Sequence, residues 1–236
     1  MCIRDSSRGK GVKLAIIDSG VDPTIKEIKS RIIKWKDFLD GSKPLLKNRG
    51  RYPFDWGGHG TSIASVVYQV APKTDLIIIR VTDDETMRTV PPTRWSACLF
   101  AAGILWAAEN GADIINLSVS FRRDFKQIRE AVKFCWEKNI VVVTAMANSY
   151  QKQQEPALCF PASYPWTIAV GGVEKAKTEL KLFPYSSRGE YIDVVAPASA
   201  VLVERPSYLD VRQRASPAFG NSLAVPFVSG TAALIL

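Results

Sequence analysis

Short apolar runs that alternate with segments of helical spacing constrain the fold of this chain more than any other feature. These runs lie at residues 12–17, 76–81, 114–117, 140–144, 167–171 and 192–196. Continuous apolar runs of this length are typical of strands that are buried on both faces. When such strands alternate with helices, they form a parallel sheet with right-handed crossovers. The sequence therefore predicts a three-layer α/β fold, with a mostly parallel central sheet and helices on both faces.

The last predicted helix has almost no polar face. Residues 219–236 read FGNSLAVPFVSGTAALIL, and this pattern predicts a helix that begins near Ser222 and is buried inside the domain. Pro226 is expected in its first turn, where a missing N–H costs little. A serine at this position is either a simple N-cap or a nucleophile, and this stretch alone does not separate the two.

The length and composition favour one large domain. With 236 residues and 47% hydrophobic content, we expect residues 11–236 to form a domain that is truncated at its C-terminus, with residues 1–10 as a leader outside it. The chain has neither a membrane-spanning apolar run nor a signal-peptide core, so we expect no membrane partner and favour an intracellular location. Four cysteines without close spacing predict mostly buried thiols, with one disulfide as the open alternative: Cys2, Cys98, Cys135 and Cys159.

The net charge of +8 is concentrated in residues 1–60. Basic residues surround Trp35 between Lys26 and Lys36, which is a weak pattern for nucleic-acid binding. A solvated surface accounts for this pattern better, so no nucleic-acid partner is predicted. Acidic substrates or partners also suit the excess charge.

Four polar residues follow apolar strands or begin helices, where they can share one edge of the sheet. Asp18 follows the first strand, and His59, the only histidine, lies in the stretch Gly57 to Thr61 (GGHGT) after a predicted loop at 37–56. Asn148 follows the fourth strand, where it is either a turn former or an oxyanion donor. Because ligands bind at the carboxyl edge of such sheets, Asp18, His59, Asn148 and Ser222 form a candidate site for serine hydrolysis.

Five stretches in chain order resemble motifs of the subtilisin-like serine proteases (subtilases, peptidase S8 family). They are residues 16–21 (IIDSGV), 58–61 (GHGT), 114–118 (IINLS), 145–148 (AMAN) and 220–227 (GNSLAVPF). The sequence departs from the family pattern at Ser120, Ala147, Asn221, Leu223 and Phe227. These departures leave the three catalytic motifs in place.

The resemblance implies a serine endopeptidase that acts on polypeptides. Ser222 is then the nucleophile, His59 the base, Asp18 its orienting carboxylate, and Asn148 a donor to the oxyanion. The substrate pocket is implied between two walls, residues 117–120 (Leu117, Ser118, Val119, Ser120) and residues 145–147 (Ala145, Met146, Ala147). No cofactor or catalytic metal is required, although structural calcium occurs in the family. The alternative is a degenerate subtilase that serves as a peptide-binding or scaffolding module.

Overall fold

The computed structural model describes residues 7–39, 54–83, 94–148, 158–176, 179–206 and 215–236. The strands in these ranges are β1 (Lys13–Asp18), β2 (Ile32–Asp37), β3 (Asp75–Arg80), β4 (Ile114–Leu117), β5 (Val141–Ala145), β6 (Ile168–Ala176), β7 (Glu179–Leu182), β8 (Val194–Pro197), β9 (Val201–Glu204) and β10 (Ala215–Ala218). The helices are α1 (Lys26–Lys29), α2 (His59–Val70), α3 (Arg94–Glu109), α4 (Lys126–Glu137) and α5 (Asn221–Ile235).

The main sheet has the order β2-β3-β1-β4-β5-β6-β7, with β8 paired to β6. All its strands are parallel except β7, which runs antiparallel to β6. The strands β9 and β10 form a separate antiparallel pair. The mostly parallel central sheet predicted from the alternating apolar runs is therefore confirmed.

Two apolar cores lie on opposite faces of this sheet. Ile16 of β1 faces a core shared with α2 and α5, whereas its neighbour Ile17 faces a core shared with α3 and α4. Successive strand residues point to opposite faces, so one short apolar strand supplies both cores. The result is the predicted three-layer arrangement, in which α2 packs against α5 and α3 packs against α4.

Two strands that the apolar pattern does not predict, β2 and β7, lie at the two ends of the main sheet. The edge strand β2 has four exposed residues, and all four residues of β7 are exposed. A strand with little buried surface has no continuous apolar run, so the pattern that predicts the central strands is absent. The basic segment around Trp35 is thus the outer edge of the sheet. Most of the loop predicted at 37–56 lies outside the described residues.

The last helix begins one residue earlier than predicted, and this changes the position of its proline. Because α5 starts at Asn221, Pro226 is its sixth residue and lies beyond the first turn. The expected placement of Pro226 in the first turn is therefore wrong. Most of this helix is buried, as predicted. The buried residues lie between Asn221 and Leu234, and Thr231 and Ile235 are exposed.

The cysteines within the described ranges are free thiols. Cys98 is half-buried, and Cys135 and Cys159 are buried, while Cys2 lies outside these ranges. Burial raises the pKa of Cys135 to about 12, so this thiol stays protonated at neutral pH. Within the same ranges, no helix combines the length and apolarity needed to cross a membrane.

Candidate active site

The carboxylate of Asp18 and the imidazole of His59 are in direct contact. Asp18 ends β1 and is 3% exposed, whereas His59 begins α2 with a side chain that is 27% exposed. His59 Nδ1 lies 2.7 Å from Asp18 Oδ1, and the same oxygen accepts a hydrogen bond of 2.7 Å from the Ser19 N–H. A buried carboxylate in this position favours the tautomer with the proton on Nδ1. In that tautomer the basic lone pair of the neutral imidazole is on Nε2.

The glycines next to His59 are required by the backbone. Gly58 precedes α2 with φ at +89°, in the left-handed region that favours glycine. At Gly60, a Cβ atom would come within 2.2 Å of the Gly20 carbonyl oxygen. A side chain at Gly60 would therefore separate the start of α2 from the Asp18–Gly20 turn, and with it His59 from Asp18.

Asp55 is a second buried carboxylate that supports this pair. Its Oδ2 accepts hydrogen bonds from the Thr61 N–H and hydroxyl at 2.7 and 2.6 Å, and its Oδ1 accepts one from the Gly58 N–H at 2.9 Å. The Ser19 hydroxyl lies between the two carboxylates, 2.9 Å from Asp55 Oδ1 and 3.1 Å from Asp18 Oδ1. Asp55 therefore ties the first turn of α2 to the turn that carries Asp18.

The environment of Asp55 has opposing effects on its protonation. Burial raises the pKa of the Asp55 carboxyl, while the hydrogen bonds from Thr61 and Gly58 oppose that shift. The sequence analysis assigns Asp55 no role and places it only in a loop. Its spacing of four residues from the only histidine is the signal that the sequence offers for it.

Ser222 and Asn148 converge on Gly220, the residue that precedes α5. A Cβ atom on Gly220 would lie 3.4 Å from Ser222 Oγ and 3.5 Å from Asn148 Nδ2. Ser222 is the second residue of the helix, where backbone N–H groups have no partner within the helix. Asn148 Oδ1 accepts a hydrogen bond of 2.9 Å from the Asn221 N–H. That bond directs the Asn148 Nδ2 donors away from Asn221.

The position of Pro226 leaves the carbonyl of Ser222 without its usual helical partner. In an α-helix this carbonyl accepts from the N–H four residues later, and Pro226 has none. The Ser118 hydroxyl replaces that donor with a hydrogen bond of 2.9 Å to the Ser222 carbonyl. Asn116 donates to Ser118 at 3.0 Å and accepts from Ser229 at 2.8 Å. This buried chain of hydrogen bonds anchors the backbone of Ser222 to β4.

The residues predicted to line the substrate pocket differ in what they can offer a substrate. Leu117, Ser118, Ala145 and Met146 are all buried, at 1 to 4% exposure. Val119, Ser120 and Ala147 are half-buried. Among these seven residues, the accessible side chains are therefore those of the last three positions, whereas the other four are packed in the interior.

The topology gathers the predicted residues at one end of the sheet. β4 lies between β1 and β5 in the sheet, and the three strands are parallel. Asp18, at the end of β1, therefore lies at the same edge of the sheet as Ser118 and Asn148, which come just after β4 and β5. The helices α2 and α5, which start at His59 and next to Ser222, pack against each other on one face. A histidine paired with a carboxylate, a serine hydroxyl and a side-chain amide are the types of group that acyl transfer uses. Among the described residues, no group of three or more His, Cys, Asp or Glu side chains could hold a metal ion.

Comparison with known families gives a match over nearly the whole chain. The model of the subtilase family matches residues 9–236. The chain is 31% identical to the major intracellular serine protease of Bacillus subtilis (strain 168), covering 97% of this chain and 69% of that protein. It is 32% identical to subtilisin DY from Bacillus licheniformis, covering 97% of this chain and 78% of that protein.

A solved structure supports the fold independently. Fervidolysin from Fervidobacterium pennivorans, a keratinolytic enzyme related to subtilisin, superposes with a TM-score of 0.80. The match covers 99% of this chain and 37% of fervidolysin at 22% identity. At this identity the likeness shows a common fold.

Proposed function

The chain belongs to the subtilase family of serine proteases, and from this premise we propose that it cleaves peptide bonds with Ser222, His59 and Asp18. The observation that carries the proposal is the contact of 2.7 Å between His59 Nδ1 and Asp18 Oδ1. Together with the hydroxyl of Ser222 at the start of α5, this pair supplies a nucleophile, a base and a carboxylate that orients the base.

In the first step, Ser222 Oγ forms a bond to the carbonyl carbon of the substrate, and its proton passes to His59 Nε2. The resulting imidazolium is stabilised by the negative charge of Asp18, which keeps the Nδ1 proton hydrogen-bonded. His59 then gives the proton to the leaving amine as the C–N bond breaks. A water molecule then attacks the acyl carbon and gives a proton to His59, which passes it to Ser222 Oγ as the ester C–O bond breaks and the acid product leaves.

The negative charge that develops on the carbonyl oxygen needs donors that are already in place. We assign this role to Asn148 Nδ2 and the Ser222 N–H. The proximity of Asn148 Nδ2 and Ser222 Oγ to Gly220 supports the assignment, as does the bond that holds Asn148 Oδ1 to the Asn221 N–H. Fixed donors stabilise an oxyanion more strongly than water does, because they need no reorganisation.

The proposal is tested by reacting the purified chain with a fluorophosphonate probe, using Ser222→Ala as the control. An active serine nucleophile becomes labelled, and Ser222→Ala does not. A folded wild-type chain that binds peptides but resists the probe would favour the alternative, a degenerate subtilase that serves as a binding module.

The pocket for the residue before the scissile bond is proposed between the walls at Leu117–Ser120 and Ala145–Ala147. Two contacts support a shallow pocket. Phe160 pairs with Phe121, the residue after Ser120, and Cys159 Sγ lies 3.9 Å from Met146 Sδ. Residues 159–160 therefore connect the two walls. Ser120 and Ala147 replace glycines of the family pattern and further reduce the space.

We expect a preference for Ala, Val or Leu over Phe or Tyr at this substrate position. Added methylene groups in a close-packed pocket change the free energy of activation by ~1–3 kcal/mol each, which corresponds to a preference of roughly 10-fold or more in kcat/KM. The measurement compares peptides that differ only at this residue, in wild type and in Ala147→Gly. An aromatic preference in the wild type that Ala147→Gly leaves unchanged would contradict the prediction.

A further inference from the structure

The side chain of Asn221 is completely buried at the junction between α5 and the end of β5. Its Nδ2 donates to the Ala147 carbonyl at 2.9 Å and to the Met146 carbonyl at 3.3 Å. On the other side, a Cβ atom on Gly172 of β6 would come within 2.3 Å of Asn221 Oδ1. The amide is therefore enclosed between two strands, and its rotamer is fixed by its surroundings.

The nitrogen of this amide is hydrogen-bonded, but its oxygen is not. Within the described part of the chain, Asn221 Oδ1 is buried and has no hydrogen-bond partner. An unpaired buried carbonyl costs stability, so the amide oxygen of Asn221 does not stabilise the fold at this position. What the amide provides is a pair of donors directed at the backbone of residues 146–147.

Asn221 thereby holds Asn148 from two directions. Its backbone N–H binds Asn148 Oδ1 at 2.9 Å, and its side chain binds the carbonyl of Ala147, the residue just before Asn148. The next residue after Asn221 is Ser222, whose N–H is the other proposed oxyanion donor. One residue is therefore bonded to both the strand end and the helix start that carry the two donors.

We infer that Asn221 is a positioning residue for the oxyanion site. Its side-chain amide fixes the Ala147–Asn148 peptide relative to the start of α5, and this sets the separation between Asn148 Nδ2 and the Ser222 N–H. The inference rests on the proposed function, because it assigns a role towards the same transition state. Oxyanion donors act only at the correct distance, and a displacement of about 1 Å can cost on the order of 10²-fold in rate.

The test is a double-mutant cycle that combines Asn221→Leu with Asn148→Ala in the full chain. Leucine keeps the branching and the number of heavy atoms of the asparagine side chain, but it is bulkier and has no donors, so the two hydrogen bonds are lost. We expect Asn221→Leu alone to lower kcat for a peptide substrate by about 10-fold or more, with little change in KM. In the Asn148→Ala background, where the positioned amide is gone, the same substitution should lower kcat much less.

A matched control separates positioning from loss of stability. The buried hydroxyl of Ser65 in α2 donates to the Ser62 carbonyl and accepts from the Glu204 N–H, away from the site. Ser65→Ala is therefore expected to lower Tm and leave kcat unchanged. If Asn221→Leu fails to fold by circular dichroism, Asn221→Ala takes its place in the cycle.

The possible outcomes of these measurements separate the positioning role of Asn221 from the proposed peptidase function. An equal loss of kcat from the Asn221 substitution in both backgrounds, or a change confined to KM, would overturn the positioning role while the protease assignment stands. A wild-type chain that neither reacts with the fluorophosphonate probe nor cleaves peptides would overturn both. A kcat loss that largely disappears in the Asn148→Ala background supports the inference.

Discussion

Ser222→Ala, His59→Ala and Asp18→Asn are each expected to lower kcat for peptide hydrolysis by about 10⁴–10⁶-fold, the range found for the same three roles in serine proteases including subtilisin. Ser222→Ala removes the nucleophile, and His59→Ala removes the group that carries its proton. Asp18→Asn keeps an oxygen that can accept from the Ser19 N–H, but it removes the charge that stabilises the imidazolium. Steady-state kinetics, with circular dichroism to confirm folding, measure these losses.

The effects of these substitutions should not add. If the three side chains act as one unit, removing a second member costs little once the first is lost. Ser222→Ala/His59→Ala should therefore be scarcely slower than Ser222→Ala alone. Losses that multiply in the double variant would show that the two residues act independently, and the assignment of the triad would be wrong.

Asn148→Ala is expected to produce the next largest effect, a loss of about 10²–10³-fold in kcat, the range found for the corresponding donor in subtilisin. The amide of Asn148 is proposed to meet charge that develops only after attack, so substrate binding should change little. The backbone of Asn148 pairs with Ser186, and this pairing does not require the side chain. The fold should therefore survive the substitution.

The role of Asn148 is decided by whether its substitution changes kcat or KM. An interaction made only in the transition state changes kcat and kcat/KM equally. A rise in KM with kcat unchanged would show that Asn148 binds the substrate in its ground state, and would remove it from the oxyanion site. A peptide aldehyde, which forms a tetrahedral adduct with the nucleophile, offers an independent check, because its affinity should fall along with kcat.

The local sequence is sufficient to predict the central architecture and the places of the candidate catalytic residues. Apolar runs such as residues 114–117 identify strands that are buried on both faces, and Gly60 beside His59 marks a close approach of the backbone. Both signals depend on neighbours within a few residues. Because parallel strands share one carboxyl edge, Asp18 and Asn148 could be placed at that edge before any contact was known.

The side chains that hold these residues in place are brought to them from distant parts of the chain. Only the tertiary structure reveals these contacts. Asp55 reaches Ser19 across 36 positions, and Asn221 reaches Ala147 across 74. No periodicity encodes such pairs, since each polar side chain gains its role from what the fold brings against it. The edge strand β2 was missed for a related reason, because its pairing with β3 leaves its outer residues exposed and without an apolar pattern. The sequence thus determined which groups are candidates for the proposed chemistry, while the packing of α5 against β4, β5 and β6 decided how these groups are held.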